Sequence, residues 1–498
     1  MHHKLWFFIG VALCNLGHLM SQESKTDSIC LKDLDTHFDE TITKGMHHWN
    51  IPGVVVGVIH KNVVVHAQGY GVSSIETQQP IDMDSIFPIA SITKVFLATV
   101  VAQFVDQGLL SWDDTIISHL PYFEVEDVYA TRNLTIRDLL SHAAGFERTD
   151  LVWFLSDYNS DQLMKQLKGL KLEKSFRSHA QYSNFGGLIL AKILEAKSGL
   201  SWEALVQKYV FDPLHMKSSY PDNQGLTQEA NISYCHAEID GKLVQHERLN
   251  YDNIKPSIGI NASVKDLLQL VLLNLNQGHF DGKIILSSDV ITQMHEPQVV
   301  MRKKQHPGWE SFFPKNSFDW AFSLGWVTCT YKGQKIIQMG GYCSGGLSAI
   351  VLVPELDLGF VVIANKYAAD FVNATKNMII DRYCGDMTSD YYKLDRIPNT
   401  TPELSLSEYV GEYEHDLYGK IKIYCKDDEL MVDSATFKGR LTHWHYNVFR
   451  LIHASPHVGE KVLTTFNINP QGKVDSVVFE IQSYYTAKIY FTKLERSI

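Results

Sequence analysis

At 498 residues the chain exceeds the usual size of one core, so two domains are the first expectation. Its 45% hydrophobic and 20% charged residues are those of an ordinary globular protein. A formal net charge of −11 without clustered Lys and Arg argues against a nucleic-acid partner and does not favour anionic membrane surfaces.

The start, Met1-His2-His3-Lys4, is a short basic region followed by the apolar run Leu5 to Cys14, too short to span a bilayer. Together they read as a secretory signal over residues 1–21, which predicts an exported protein, periplasmic or extracellular. Val11-Ala12-Leu13-Cys14 approaches a lipoprotein signal, with leucine where a small residue is expected, so a membrane tie is expected only if Cys14 carries a lipid. Seven cysteines show neither Cys-x-x-Cys nor zinc spacing; no metal or other cofactor is expected and no disulfide pair is predicted. His47-His48 and His443-x-His445 lack a third ligand at a sensible spacing.

Val54 to Ile59, the turn His60-Lys61-Asn62 and Val63 to Tyr70 predict a β-hairpin. Next comes Ser91-Ile92-Thr93-Lys94, where an extended segment ending in Phe87-Pro88-Ile89-Ala90 gives way to a long apolar helix stopped at Gly108. A serine hydroxyl needs a base beside it, and a lysine three residues on lies on the same helical face, one turn away. In the first turn Ser91 also faces the positive end of the helix dipole, so its amide can help hold an oxyanion. The pattern stays mostly helical to about His295. It includes Leu139-Leu140-Ser141-His142-Ala143-Ala144-Gly145, Phe176-Arg177-Ser178, Gln181-Tyr182-Ser183-Asn184 before an apolar helix ending near Gly199, and Phe211-Asp212-Pro213-Leu214-His215-Met216. Strands then return at Phe322 to Thr330, Lys335 to Met339, Leu347 to Val353 and Gly359 to Ala364. This order predicts an α+β fold, one antiparallel sheet built from both ends of a domain, flanked by helices and with an α-helical lobe inserted.

A polar, Pro-containing stretch around Pro398 and Pro402 reads as a linker. Beyond it, short alternating runs (Tyr409 to Tyr413, Lys420 to Tyr424, Glu429 to Val432, Val448 to Ile452, Lys461 to Ile468, Val474 to Ile481, Ala487 to Phe491) predict a small antiparallel β-barrel of about eight strands, filled by its own side chains. The expected domains are residues 31–386, a linker over 387–403, and the barrel over 404–498.

Ser91-x-x-Lys94, Tyr182-Ser183-Asn184 and Met339-Gly340-Gly341, in this order, resemble the motifs of the serine β-lactamase and penicillin-binding protein superfamily. The likeness is to the branch with Tyr-Ser-Asn as second motif, which includes class C β-lactamases, DD-peptidases, D-aminopeptidases and related esterases. It runs from about His48 to Ala364, and the C-terminal runs look like the family's small lipocalin-like domain. Phe176-Arg177-Ser178 is similar to a subgroup outside the true β-lactamases.

The resemblance implies that Ser91 is acylated, that Lys94 stays beside its hydroxyl, that Tyr182 shuttles the proton, and that the Ser91 and Tyr342 amides form the oxyanion hole. Independently of the family, a phenol becomes a usable base beside a lysine ammonium. Asn184 carries the donor and acceptor needed to grip an acyl amide and orient Lys94. Gly340 and Gly341 remove side chains along a strand edge where substrate lies. Met339 departs from the pattern: relatives usually place Lys or His there, and a thioether offers no charge. The expected function is an exported serine hydrolase acting through a Ser91 acyl-enzyme on a small-molecule or peptide-like substrate, an ester or amide. A DD-peptidase or β-lactamase proper is the enzyme alternative, and a non-catalytic cell-envelope binding or scaffold protein on the same fold is the alternative of another class. Oligomeric state is not legible.

Overall fold

A computed structural model describes residues 32–154, 156–226, 231–239, 242–301, 313–314, 316–343, 345–385, 400–434, 437–453, 462–481 and 487–494. The expected signal and nearly all of the expected linker lie outside the described residues. The chain divides into two units, Met1–Lys44 and Gly45–Ile498; the first holds most of the helix Lys32–His48, and all that follows concerns the second.

Eight strands form the main sheet: β1 (Gly53–His60), β2 (Val63–Gly71), β3 (Val299–Val300), β4 (Phe318–Phe322), β5 (Val327–Tyr331), β6 (Gln334–Cys343), β7 (Gly346–Val353) and β8 (Leu358–Ala364). Their order, β3-β4-β5-β6-β7-β8-β1-β2, is antiparallel throughout and joins the two ends of the domain, with Val54 opposite Ala364. The predicted hairpin is present, and Lys61 and Asn62 take the positive φ of 50° and 62° that a tight two-residue turn requires.

One expectation fails in detail. The run Phe322 to Thr330 is two strands, because Ser323 to Trp326 turn between β4 and β5. Gly325 makes the turn at φ +80°, and a Cβ there would meet the Ala98 methyl at 2.5 Å. The hairpin bends where it presses against the helix that follows Ser91.

Burial on both faces explains why β7 and β8 are apolar at every position but Ser348. Helix Val264–Leu275 covers one face, where bare Gly57 and Gly359 admit Leu268 and Val271. Helix Ala369–Tyr383 covers the other, with Lys376 Nζ donating to Gln338 Oε1 at 3.0 Å. Pairing Ile337 with Leu352, and Leu352 with Gly359, puts Met339 and Gly341 on the first face, together with the helical lobe.

The C-terminal region is a closed barrel of eight antiparallel strands, from Gly411–His415 to Ala487–Lys493, sealed by Tyr413 opposite Lys493. Its interior is occupied by Tyr413, Phe449, Phe466, Phe479, Phe491 and their aliphatic neighbours. Two elements differ from expectation. Tyr409 ends a short helix, Leu406–Tyr409, and plugs the barrel with its hydroxyl on Asn447 Oδ1. Strand Gly439–His445, absent from the predicted runs, carries half-exposed Thr442, His443 and Trp444 and so shows no clean alternation.

Candidate active site

Strand Ile86–Pro88 pairs with Asn261–Ser263 and delivers the chain to Ala90, whose φ of +47° is a left-handed conformation costing a non-glycine residue about 1–2 kcal/mol. That bend hands Ser91 into a 3-10 turn, Ala90–Ile92, one step ahead of the α-helix Thr93–Asp106. The helix is the buried one predicted: every residue from Thr93 to Phe104 is shielded from solvent. Lys94 keeps its place on the face of Ser91, its Nζ 3.3 Å from Ser91 Oγ.

Lys94 is the hub. Its Nζ donates to Asn184 Oδ1 at 2.7 Å and to the Ser257 carbonyl at 2.9 Å. Burial pushes its pKa well below the ordinary lysine value, with the Asp150 carboxylate pulling the other way. Three oxygens, those of Asn184 and Ser257 and Ser91 Oγ, surround the nitrogen, and the weaker its hold on a third proton, the more its lone pair is free to take the one on Ser91. A side chain 4% exposed loses the hydration that favours an ammonium, so burial works against the charged form the sequence offers.

Tyr182 OH lies 2.7 Å from Ser91 Oγ, and Lys94 Nζ sits 4.8 Å above the centre of its ring. The His142 ring packs on Tyr182 at 4.4 Å, and the Ser183 amide donates to His142 Nδ1 at 3.3 Å. Burial, reinforced by the Lys94 charge, pushes the His142 pKa far down, in keeping with a ring nitrogen that accepts.

Asn184 occupies the N-cap position of helix Phe185–Ser198 yet makes no capping bond with its side chain. Instead it links Lys94 to Asp150, donating from Nδ2 to Asp150 Oδ1 at 3.2 Å. The Trp153 indole donates to the same oxygen at 3.0 Å. Gly187 lets the short helix Lys255–Ile258 approach, since a Cβ there would collide with Ser257 Oγ, which itself donates to the Asn184 carbonyl at 2.5 Å.

The fourth wall is β6. Its pairing with β5 ends at Gln338 opposite Val327, and from Met339 to Cys343 its partner is β7. A side chain on Gly341 would collide with the Ile89 carbonyl, so this glycine lets the strand lie against the segment that leads to Ser91. Ser348 Oγ fastens the same carbonyl at 3.0 Å. Met339, 3% exposed, shares the Gly341 face, whereas Gly340 and Tyr342 turn to the other, where the Tyr342 ring meets Tyr367 at 4.9 Å.

Ser91, Lys94, Tyr182 and Asn184 are thus brought together as predicted, and β6 lies beside them. Asp150, Ser257 and His142 escape prediction as members of the site. His142 and Ser257 did leave a trace: His142 stands in a recognised segment, and the Gly186-Gly187 pair after Asn184 marks a close approach. Arg177 proves to be a strut, with Nε and Nη2 on the two Asp138 oxygens at 2.8 and 2.7 Å. Among the described residues no group of three or more His, Cys, Asp or Glu gathers as metal ligands do.

A serine, a lysine one turn on, a tyrosine on the serine and a glycine-lined strand edge define a β-lactamase-type serine site. The chain belongs to the β-lactamase family, whose model matches residues 38–382; a domain of unknown function, DUF3471, matches 395–493. It is 23% identical to unguisins hydrolase ungD' of Aspergillus campestris, over 78% of each chain. Among solved structures it resembles the octameric penicillin-binding protein homologue of Pyrococcus abyssi (TM-score 0.60, 20% identity, 91% of this chain and 99% of that one). It also resembles a class C β-lactamase of Rhodobacter sphaeroides (TM-score 0.57, 21% identity, 70% and 99%).

Proposed function

We propose that the protein is an exported serine hydrolase working through a Ser91 acyl-enzyme on an ester or a peptide-like amide. The observation that carries the reading is the buried cluster in which Ser91 Oγ lies 2.7 Å from Tyr182 OH and 3.3 Å from Lys94 Nζ, with Asn184 holding the lysine. As Ser91 Oγ bonds to the substrate carbonyl carbon, its proton leaves along the Lys94–Tyr182 pair and is returned to the leaving group as that bond breaks. The carbonyl oxygen, now negative, takes the Ser91 and Tyr342 amides. Water then attacks the ester on Ser91, with the same pair receiving its proton and returning one to Oγ.

Met339 argues for the substrate side of this reading. No cation stands at its place, so an acyl donor that depends on a carboxylate contact there is disfavoured, and we place esters and uncharged amides ahead of β-lactams and of peptides ending in a free carboxylate. The support for export is the basic and then apolar start over His2 to Cys14; N-terminal sequencing of protein secreted by its host checks it. For the chemistry, purified protein exposed to a fluorophosphonate should gain one adduct by intact mass, and Ser91→Ala should gain none. Full labelling of that variant would remove Ser91 from the mechanism.

A further inference from the structure

Next to the site lies a cleft of about 260 Å³, lined among others by Pro88, Cys235, Arg248, Tyr251, Asn261 and Cys343. Cys343 closes β6, directly after Tyr342, and its Sγ is 3.9 Å from the carbonyl of Pro88, three residues before Ser91. Cys235 opens strand Cys235–Ile239, which is tied beside β6 by the His236 amide donating to Asn365 O at 3.0 Å and Gly345 O at 3.3 Å. Both cysteines line this cleft, and a Cβ on Gly345, two residues beyond Cys343, would stand only 2.7 Å from Cys235 Cβ, so the two side chains are neighbours.

Arg248 faces both. Its guanidinium donates to Asn261 Oδ1 and to the carbonyls of Ile86 and Ser233 at 2.5, 2.7 and 2.8 Å, all neutral acceptors, while Nε has no partner. The Arg248 charge favours thiolate at both sulfurs, while the Glu247 carboxylate opposes it at Cys235. The neighbouring Cys343 thiol pulls Cys235 down, and Cys235 together with burial pushes Cys343 up. One sulfur is therefore the better nucleophile and the other holds its proton in reserve. By contrast, burial pushes Cys329 up to about 12.

We propose that Cys235 and Cys343 are an oxidisable pair that closes to a disulfide with a peroxide, and that closure slows acylation of Ser91. The Cys235 thiolate attacks one peroxide oxygen, the O–O bond breaks, and hydroxide leaves as water with a proton, giving a sulfenic acid. Cys343 then attacks that sulfur, the S–O bond breaks, and a second water leaves; two thiols and one hydrogen peroxide become one disulfide and two waters. A disulfide is about 2.05 Å long, well inside the contact distance of two unlinked sulfurs, so closing it displaces the residue next to Tyr342. The coupling to Ser91 rests on the function proposed above; the pairing itself does not.

The test uses the full chain, reduced and then treated with hydrogen peroxide, with free thiols alkylated and peptides mapped by mass. The expected result is a Cys235–Cys343 link that a thiol reductant reverses, with fluorophosphonate labelling slowed about threefold to tenfold in the linked form and unchanged by peroxide in Cys235→Ser. Unlinked or differently paired thiols overturn the site. A mapped link with unaltered labelling overturns the coupling, and a reduced protein that is never labelled overturns the Ser91 reading and the coupling with it, while the map still judges the pair.

Discussion

Asp150 is the sharpest test of how the site is held, because its two substitutions separate charge from hydrogen bonding. In Asp150→Asn an oxygen still faces Asn184 Nδ2 and Trp153 Nε1, which now lie 3.2 and 3.0 Å from Oδ1. A bond to a charged group is worth about 1.5–3 kcal/mol and a neutral one about 0.5–1.5, so the grip on the Asn184 amide weakens by about 1 kcal/mol. That corresponds to roughly a fivefold loss in labelling or turnover if the lost grip is felt in the transition state. In Asp150→Ala both donors lose their acceptor at about 1–3 kcal/mol each; the Asn184 share alone, if felt in the transition state, gives a loss of roughly fivefold to a hundredfold. The pH profile tells a positioning role from a merely structural one. Asp150 is the one charge that favours the Lys94 ammonium against burial, so removing it lets Lys94 stay neutral to lower pH. Rates of labelling on an activated ester or fluorophosphonate, measured across pH, should therefore show the acid limb of Asp150→Asn moved to lower pH. Equal rates in all three proteins, or a limb that moves upward, would refute the reasoning.

Lys94→Ala and Tyr182→Phe should each lower turnover of a nitrophenyl ester by at least about 10²-fold with the fold intact by circular dichroism, and their combined loss should fall far short of additive because they serve one proton path. Chromogenic cephalosporins should be cleaved slowly or not at all beside such an ester, and Met339→His should shift the ratio toward the cephalosporin; efficient cephalosporin turnover by the unaltered chain would count against the reading of Met339. Lys376, buried behind β6 and pushed down to about 7 by burial, is neutral in the folded state and charged in the unfolded one between there and its ordinary 10.5. The unfolded state binds more protons over that window, so stability rises with pH; between pH 7 and 9 denaturant melts should show a gain of about 2 kcal/mol that Lys376→Met lacks. A chain ending near Asp390 should still fold and label, since the sheet is complete at β8; unfolding on truncation would mean that the barrel shares its core.

The elements that sequence alone discloses are those whose side chains repeat with their surroundings. The buried helix after Ser91, the hairpin at Lys61 and the almost wholly apolar β7 and β8 are legible because one environment persists over a whole element. Where the environment changes within an element, the reading slips: Phe322 to Thr330 looks continuous, yet contact with Ala98 forces a turn at Gly325. The barrel strand Gly439–His445 buries Leu441 but is half-exposed at every position from Thr442 on, and so loses the period that would reveal it.

The site follows the same rule one level up. Ser91 and Lys94 share a helical turn, and Tyr182 and Asn184 share a loop, so spacing announces each pair. Asp150 reaches the site only because the chain beyond Gly145 folds its carboxylate against Asn184, and nothing local in Thr149-Asp150-Leu151 announces that. Lys94 shows why composition cannot supply charge states. The sequence offers an ammonium, and an ammonium activates Tyr182 as a phenolate; burial works against the ammonium and favours the amine itself as the acceptor. The two schemes draw the same residues with opposite charges. They differ in which group titrates on the acid limb, so Tyr182→Phe separates them: a limb that keeps its position in that variant belongs to Lys94, and one that vanishes belongs to the phenol.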